Sequence, residues 1–125
     1  MLKRSMFQLY LVGCEEAMEL YQKAFDATPL TVDRHPENGT IVHAELDVFG
    51  QIVALSERRE PTVIGNTTQL CLNFTMDGET FVKKAYAALK EGADINTPLG
   101  PSFFSPCMFG LVDRFGVDWC VFTTE

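Results

Sequence analysis

Residues 45–50 read ELDVFG, and residues 111–116, which lie 66 positions further along the chain, read LVDRFG. Each hexapeptide leads into a run with strand-like composition, at 51–55 and at 117–121. A glycine between two such runs favours a hairpin turn. The two hexapeptides therefore predict two hairpins at corresponding places in the two halves of the chain.

The front ends of the two halves repeat in the same order. An apolar run, at 6–12 and again at 70–76, precedes a stretch with helical periodicity, at 15–25 and again at 79–91. In the first run apolar and polar residues alternate, which is the period of a strand. Because a nearly constant offset across a strand, a helix and a hairpin indicates an internal repeat, the sequence predicts two modules of about 60 residues.

Each module is predicted to have the order βαβββ, which gives an α+β fold. The hairpins occupy 41–56 and 109–123, and one further strand follows each helix, around 29–34 and 94–99. Since one helix covers only one face of a four-stranded sheet, the other face must meet another surface. The sequence therefore predicts a curved mixed sheet around a cleft between the two modules. Homodimerisation is expected to cover the sheet surface that remains exposed.

The chain is interpreted as a single domain over residues 1–125. Module 1 takes about 1–57, a linker takes about 58–68, and module 2 takes about 69–125. The linker is assigned to a segment that contains proline, glycine and asparagine, which are typical of loops.

Charge and hydropathy exclude two classes of partner. Lysine and arginine number 10 against 17 aspartate and glutamate, a net charge of −7, so there is no basic field to attract nucleic acid. No apolar run approaches the roughly 18–20 residues that cross a bilayer, so no membrane span is expected.

The four cysteines, which are Cys14, Cys71, Cys107 and Cys120, contain no CxxC pair. They are interpreted as reduced thiols of a cytoplasmic protein. Residues 11–14 read LVGC, which has the form of a lipoprotein cleavage box. Cleavage there would remove a strand that the repeat requires, so an intact chain is expected.

Four stretches carry a resemblance to a known family: YLVGCEEA at 10–17, LYQKAF at 20–25, VHAEL at 42–46 and GLVDRFGVDW at 110–119. They resemble the PhnB-like branch of the vicinal oxygen chelate superfamily, which includes glyoxalase I, bleomycin-resistance proteins and extradiol dioxygenases. The resemblance covers nearly the whole chain. It implies paired modules that form a cleft, usually within a homodimer, and often a divalent metal in that cleft.

The metal ligands of such relatives lie on the first strand and the last strand of each module. Here the first strands offer Gln8 in module 1 and Cys71 or Asn73 in module 2, and the last-strand positions fall on Ala54 and Cys120. A hard or borderline divalent cation needs several nitrogen or oxygen donors, with at least one anion among them. A divalent metal is therefore a candidate cofactor whose usual ligands are largely absent, and no metal ligand is assigned.

His43 and Glu45 are the candidate catalytic residues. They lie two apart on a predicted strand and so project from one face. In the functional interpretation His43 is a general base or ligand and Glu45 is its partner, because histidine titrates nearest neutrality. In the alternative they are a polar pair that supports the fold or the dimer.

Five further residues are predicted to contact a ligand. Tyr10 shares a strand face with Gln8, and Asn73 is a polar residue in an apolar strand that would need a partner if buried. Cys120 is either a thiolate ligand or nucleophile, or a small apolar side chain. Phe109 belongs to an aromatic segment suited to covering a pocket or, equally, to capping the core.

The predicted function is binding of a small organic molecule in the cleft, by a glyoxalase-like protein with a degenerate metal site. The alternative is a metal-dependent lyase, isomerase or dioxygenase of the same superfamily. A purely structural dimer module is a third interpretation. Glu45 would suit a cationic ligand.

Overall fold

The computed structural model describes residues 1–59 and 67–125, and the chain divides into two compact units. Module 1 contains β1 (Phe7–Leu11), α1 (Cys14–Phe25), β2 (Thr28–Arg34), β3 (Ile41–Val48) and β4 (Gln51–Glu57). Module 2 contains β5 (Leu70–Phe74), a 3₁₀ turn (Met76–Gly78), α2 (Glu79–Leu89), β6 (Asp94–Gly100), β7 (Met108–Val112) and β8 (Asp118–Thr123). The predicted α+β class and the βαβββ order of both modules are confirmed. Most of the predicted linker lies outside the described residues.

The two sheets have the same topology. The strand orders are β1-β4-β3-β2 and β5-β8-β7-β6. In each sheet the first strand runs parallel to the last, and the other neighbours are antiparallel. Gln8 lies opposite Ala54, and Cys71 lies opposite Cys120. The internal repeat seen in the sequence is therefore a repeat of strand pairing.

In the folded module, the first turn of helix α1 lies beside the last residue of strand β4. The amide groups of Gly13 and Cys14 donate to the two carboxylate oxygens of Glu57, at 2.8 and 3.1 Å. These amides are among the four that a helix leaves unpaired at its start, and a carboxylate there also meets the positive end of the helix dipole. Glu57 thus fixes the first turn of the helix to the last strand of the sheet.

Each sheet has one face covered by its helix and one face turned away from it, which we call the far face. Side chains on neighbouring strands in register share a face, and alternate residues along a strand change face. The helix-covered face of module 1 carries the buried side chains of Leu46, Val53 and Leu55. The residues of the far face of module 1 are Gln8, Tyr10, His43, Glu45, Ala54 and Ser56.

The two hairpins turn differently. In module 1 two residues, Phe49 and Gly50, connect β3 to β4, both with positive φ (52° and 89°). This is the backbone of a two-residue hairpin turn. In module 2 five residues, 113–117, connect β7 to β8. The sequence placed this turn at Gly116 alone, and the turn is longer because the amides of Phe115 and Val117 donate to the Asp113 carboxylate instead of to a partner strand.

Asp113 organises this five-residue turn. Its Oδ1 accepts from the amides of Phe115 at 2.9 Å and Val117 at 3.0 Å, and its Oδ2 accepts from Trp119 Nε1 at 2.9 Å. Asp113 is 4% exposed and Trp119 is fully buried. In the DRFGVDW stretch, Asp113 therefore accepts hydrogen bonds from the turn that follows it, and its bond to the buried Trp119 ties this turn to the core of module 2. Among the described residues no helix has the length and apolar content to cross a membrane.

Candidate functional site

Four of the seven predicted site residues lie together on the far face of module 1. Strand β1 contributes Gln8 and Tyr10, and β3 contributes His43 and Glu45. Strand β4 lies between them in the sheet, with the small side chain of Ala54 on the same face. The strands thus place the four side chains on one side of one sheet.

Glu45 is the most buried polar residue of this face, at 3% exposure. Its Oε1 accepts from the Arg4 guanidinium at 2.6 Å, and its Oε2 accepts from His43 Nε2 at 2.8 Å. Both carboxylate oxygens are therefore occupied by cationic or ring N–H donors of the chain itself. Arg4 was not among the residues expected from the sequence, since it lies 41 positions from Glu45.

These contacts keep Glu45 ionised. Hydrogen bonds from Arg4 first and His43 second hold the pKa of Glu45 at about 2, against burial, which acts in the opposite direction. Glu45 is consequently an acceptor at neutral pH and cannot supply a proton. The carboxylate orients the half-buried His43 ring, as an acidic partner does for a histidine base. Both interpretations of the pair, a general base with its partner or a structural pair, fit this geometry.

The lowered pKa of Glu45 predicts a pH-dependent contribution to stability. Because the folded pKa is about 2 and the ordinary value is 4.5, the contribution is complete above about pH 4.5 and is lost as pH falls towards 2. We expect the difference in Tm between wild type and Glu45→Gln to shrink across that window, as measured by circular dichroism at a series of pH values. Glu19→Gln, on the exposed side of α1, controls for loss of one negative charge. A difference in Tm that stayed constant from pH 6 to pH 2 would contradict the ion-paired state of Glu45.

A cavity of about 570 Å³ lies at the end of this face where β1 and β4 finish. It is lined by Tyr10, Thr40, Ile41, Val42, Ser56, Glu57, Arg58 and Arg59. Its volume falls in the range of small-molecule pockets, roughly 300–1,000 Å³. The Tyr10 ring is 57% exposed at its wall. The cavity was not predicted from the sequence, because its walls come from three separate segments, at 10, 40–42 and 56–59.

Gln8 connects the cavity to the rest of the far face. Gln8 Nε2 donates to Ser56 Oγ at 3.0 Å, and Ser56 is the cross-strand partner of Tyr10. The Arg58 Nε donates to the backbone oxygen of Tyr10 at 3.2 Å, which holds the arginine against β1. Tyr10, Ser56 and Arg58 are therefore positioned by contacts within the wall.

The far face of module 2 holds two of the remaining predicted residues, Asn73 and Cys120, and also Cys71. Asn73 is exposed, and its Oδ1 accepts from the Thr124 hydroxyl at 3.0 Å. The Asn73 side chain therefore has a hydrogen-bond partner within the chain and does not require a ligand. The pKa of Cys120 is raised, first by burial and then by the neighbouring Cys71, so Cys120 is a thiol at neutral pH. This disfavours the thiolate interpretation of Cys120.

Of the two interpretations given for Phe109, the structure fits the core position and not the wall of a pocket. The Phe109 side chain is fully buried, and its ring centroid lies 5.2 Å from that of Tyr86 on α2. Phe109 pairs with Val121 in the register of β7 and β8, whereas Cys120 pairs with Gly110. Phe109 is therefore a core residue of the helix-covered face, and it shares no face with Cys120.

The side chains at the expected ligand positions do not fit a hard divalent cation. They supply amides from Gln8 and Asn73, a methyl group from Ala54 and thiols from Cys71 and Cys120. Both oxygens of Glu45 are already occupied. Within residues 1–59 and 67–125, no three His, Cys, Asp or Glu side chains are grouped closely enough to hold a metal ion. The donor chemistry thus provides no anionic oxygen ligand at these positions.

Comparison with known proteins gives matches among solved structures. No protein-family model and no curated protein sequence matches this chain. The PhnB protein from Bacillus cereus is 24% identical with a TM-score of 0.82, over 98% of this chain and 100% of its own. TioX from Micromonospora sp. ML1 is 26% identical with a TM-score of 0.63, over 98% of this chain and 100% of its own.

More distant structures include fosfomycin resistance proteins. FosX from Listeria monocytogenes, solved with Mn(II) and 1S,2S-dihydroxypropylphosphonic acid, is 11% identical with a TM-score of 0.72, over 98% of this chain and 93% of its own. Similarity at this level of identity is similarity of fold. The far face and its cavity must therefore supply the argument for function.

Proposed function

We propose that this chain, whose fold is that of the vicinal oxygen chelate superfamily, binds a small organic anion in the cavity of module 1 at the ends of β1 and β4. The observation that carries the proposal is the 570 Å³ cavity, which sets an exposed aromatic ring beside two arginines. Ligand pockets combine an apolar wall with a few polar groups that fix orientation. This cavity has that composition.

The apolar contact would come from Tyr10 and Val42, which are 57% and 45% exposed. A planar or branched hydrocarbon group placed against them would remove that surface from water. The hydroxyl groups of Thr40 and Ser56 lie on the same wall and can donate or accept hydrogen bonds. The wall thus suits a molecule with one apolar part and one polar part.

The charge of the polar part follows from the charged side chains that line the cavity. Two of them, Arg58 and Arg59, are cationic and one, Glu57, is anionic, and the Glu57 carboxylate accepts from the two amides at the start of α1. The expectation that Glu45 would attract a cation is not supported, because Arg4 and His43 occupy its oxygens. An anionic group, such as a carboxylate or phosphonate, fits better, since guanidinium groups bind both.

The fold adds support of a general kind. FosX from Listeria monocytogenes was solved with a phosphonic acid, so this fold can hold a small organic anion in at least one protein. In this chain arginines of module 1 would replace the metal as the positive charge. The metal-dependent lyase, isomerase or dioxygenase alternative would need several oxygen or nitrogen ligands, with an anion among them, and Gln8, Ala54, Cys71 and Cys120 provide a single amide. A cytoplasmic homodimer, expected from the resemblance and the free thiols, belongs to the same proposal.

Three compounds with the same ring and different charges test the proposal. Benzoate, benzamide and benzylamine share one ring and differ in charge. Titrated into ¹⁵N-labelled protein, benzoate should shift the amide signals of residues 40–42 and 56–59 at lower concentration than the other two. Tyr10→Ala should weaken benzoate binding about tenfold, since an aromatic contact contributes about 1.4 kcal/mol.

Phe103→Ala is the matched control, because it removes an aromatic ring that is 99% exposed in module 2. It should leave the dissociation constant unchanged. Benzylamine binding as tightly as benzoate, or shifts confined to residues outside the cavity, would overturn the proposal.

A further inference from the structure

Cys71 and Cys120 are direct neighbours on the far face of module 2. They are partners in the parallel pairing of β5 and β8, so their side chains project from the same face. Strands in a sheet lie about 4.8 Å apart, and disulfides join Cα atoms about 4.4–6.8 Å apart. The backbone therefore already brings the two cysteines to a separation that a disulfide requires.

The two thiols also influence each other electrostatically. Burial raises the pKa of the Cys120 thiol most, and the neighbouring Cys71 raises it further. Cys71 Sγ lies 3.5 Å from Gln69 Oε1, which shows that its thiol remains near the strand surface. No other cysteine competes at this point in the described residues. Cys14 is buried in module 1, and the buried Cys107 has its backbone oxygen paired with Thr123, three residues from Cys120 along β8.

The two cysteines differ in access to solvent. Cys71 is exposed and Cys120 is half-buried. Strand β5 has five residues and is the edge strand of its sheet, where its neighbour is β8. Neighbouring strands lie about 4.8 Å apart, whereas the two Cβ atoms of a disulfide lie about 3.5–4.5 Å apart. A movement of about 1 Å at the sheet edge would close this gap.

We propose that Cys71 and Cys120 are a peroxide-sensitive pair that forms a reversible disulfide between β5 and β8. The Cys71 thiolate attacks one oxygen of hydrogen peroxide, an S–O bond forms, the O–O bond breaks, and water leaves after protonation. The Cys120 sulfur then attacks the Cys71 sulfenic acid, the S–S bond forms, the S–O bond breaks, and the Cys120 proton leaves with a second water. The two thiols together lose two electrons, and the peroxide accepts both.

Mass spectrometry tests the pair. Wild-type protein treated with equimolar hydrogen peroxide and analysed without reductant should lose about 2 Da, and dithiothreitol should restore the mass. Peptide mapping should show a link between Cys71 and Cys120. A Cys14→Ser/Cys107→Ser variant keeps the pair and should behave as wild type, whereas Cys71→Ser should show no loss of 2 Da.

Three results would overturn the proposal. The first is oxygen addition at Cys71, in steps of about 16 Da, without a link. The second is a link that involves Cys14 or Cys107. The third is a disulfide between two chains, seen as a dimer on a non-reducing gel. The peptide map of the wild-type protein tests the proposal even if a variant fails to fold. None of these results tests the proposed anion site of module 1.

Discussion

Asp113→Ala is expected to lower the free energy of unfolding by about 3–5 kcal/mol. The Asp113 carboxylate accepts three hydrogen bonds, from the amides of Phe115 and Val117 and from the indole of Trp119. Bonds to a charged group are worth about 1.5–3 kcal/mol each, and a buried donor left without a partner costs about 1–3 kcal/mol. The loss is smaller than the sum of these contributions, because three bonds to one carboxylate are not additive and the half-buried Phe115 can reach water. Urea unfolding followed by circular dichroism gives the value.

Two variants distinguish the loss of the hydrogen bonds in this turn from the loss of one negative charge. Asp113→Asn keeps one acceptor oxygen and should cost less than alanine. Asp47→Ala removes the equivalent carboxylate of module 1, which accepts one hydrogen bond, from the Gly50 amide in an exposed turn. Its cost should stay near 1 kcal/mol. Equal losses for Asp113→Ala and Asp47→Ala would show that the buried network around Trp119 contributes nothing.

Phe109→Ala is expected to be destabilising by about 3–5 kcal/mol, because it removes a fully buried ring from the core. For a chain of this length that corresponds to a fall in Tm of roughly 10–20 °C. The ring packs against Tyr86 of α2, so near-ultraviolet circular dichroism should change as well. Differential scanning calorimetry measures the fall in Tm.

The control for this substitution is Phe103→Ala, whose ring is almost wholly exposed. It should change Tm by no more than about 2 °C. Benzoate affinity, corrected for the folded fraction, should be the same in Phe109→Ala as in wild type. A variant with unchanged Tm and weakened ligand binding would restore the original interpretation of Phe109 as a ligand contact.

The face of the sheet on which Phe109 lies depends on the length of the turn between β7 and β8. A two-residue turn at Phe115 and Gly116 would pair Leu111 with Cys120 and place Phe109 on the same face as Cys120. The five-residue turn built by Asp113 pairs Gly110 with Cys120 instead. A shift of one residue moves every side chain of a strand to the other face. The length of the turn depended on a buried carboxylate, which hydrophobic periodicity does not reveal.

Local patterns predicted the features that depend on local spacing. The order of helices and strands followed from periodicity, and the shared face of His43 and Glu45 followed from their separation of two. Contacts between residues that are far apart in the sequence could not be predicted from these patterns. Arg4 reaches Glu45 from 41 positions away, and it converts an apparent acidic site into a neutral ion pair. The cavity at Tyr10 likewise depends on residues brought together only by the pairing of β1 with β4.

The parallel pairing of first and last strands bears on how each module could be re-engineered. In an antiparallel pair the chain would enter and leave a module at one end of the sheet. Here β1 and β4 run in the same direction, so the entry point near Phe7 and the exit point near Glu57 lie at opposite ends. A five-residue strand spans about 17 Å. Circular permutation of module 1 would therefore need a connector that runs the full length of the sheet, whereas fusion of a further module after Glu57 would follow the existing direction of the chain.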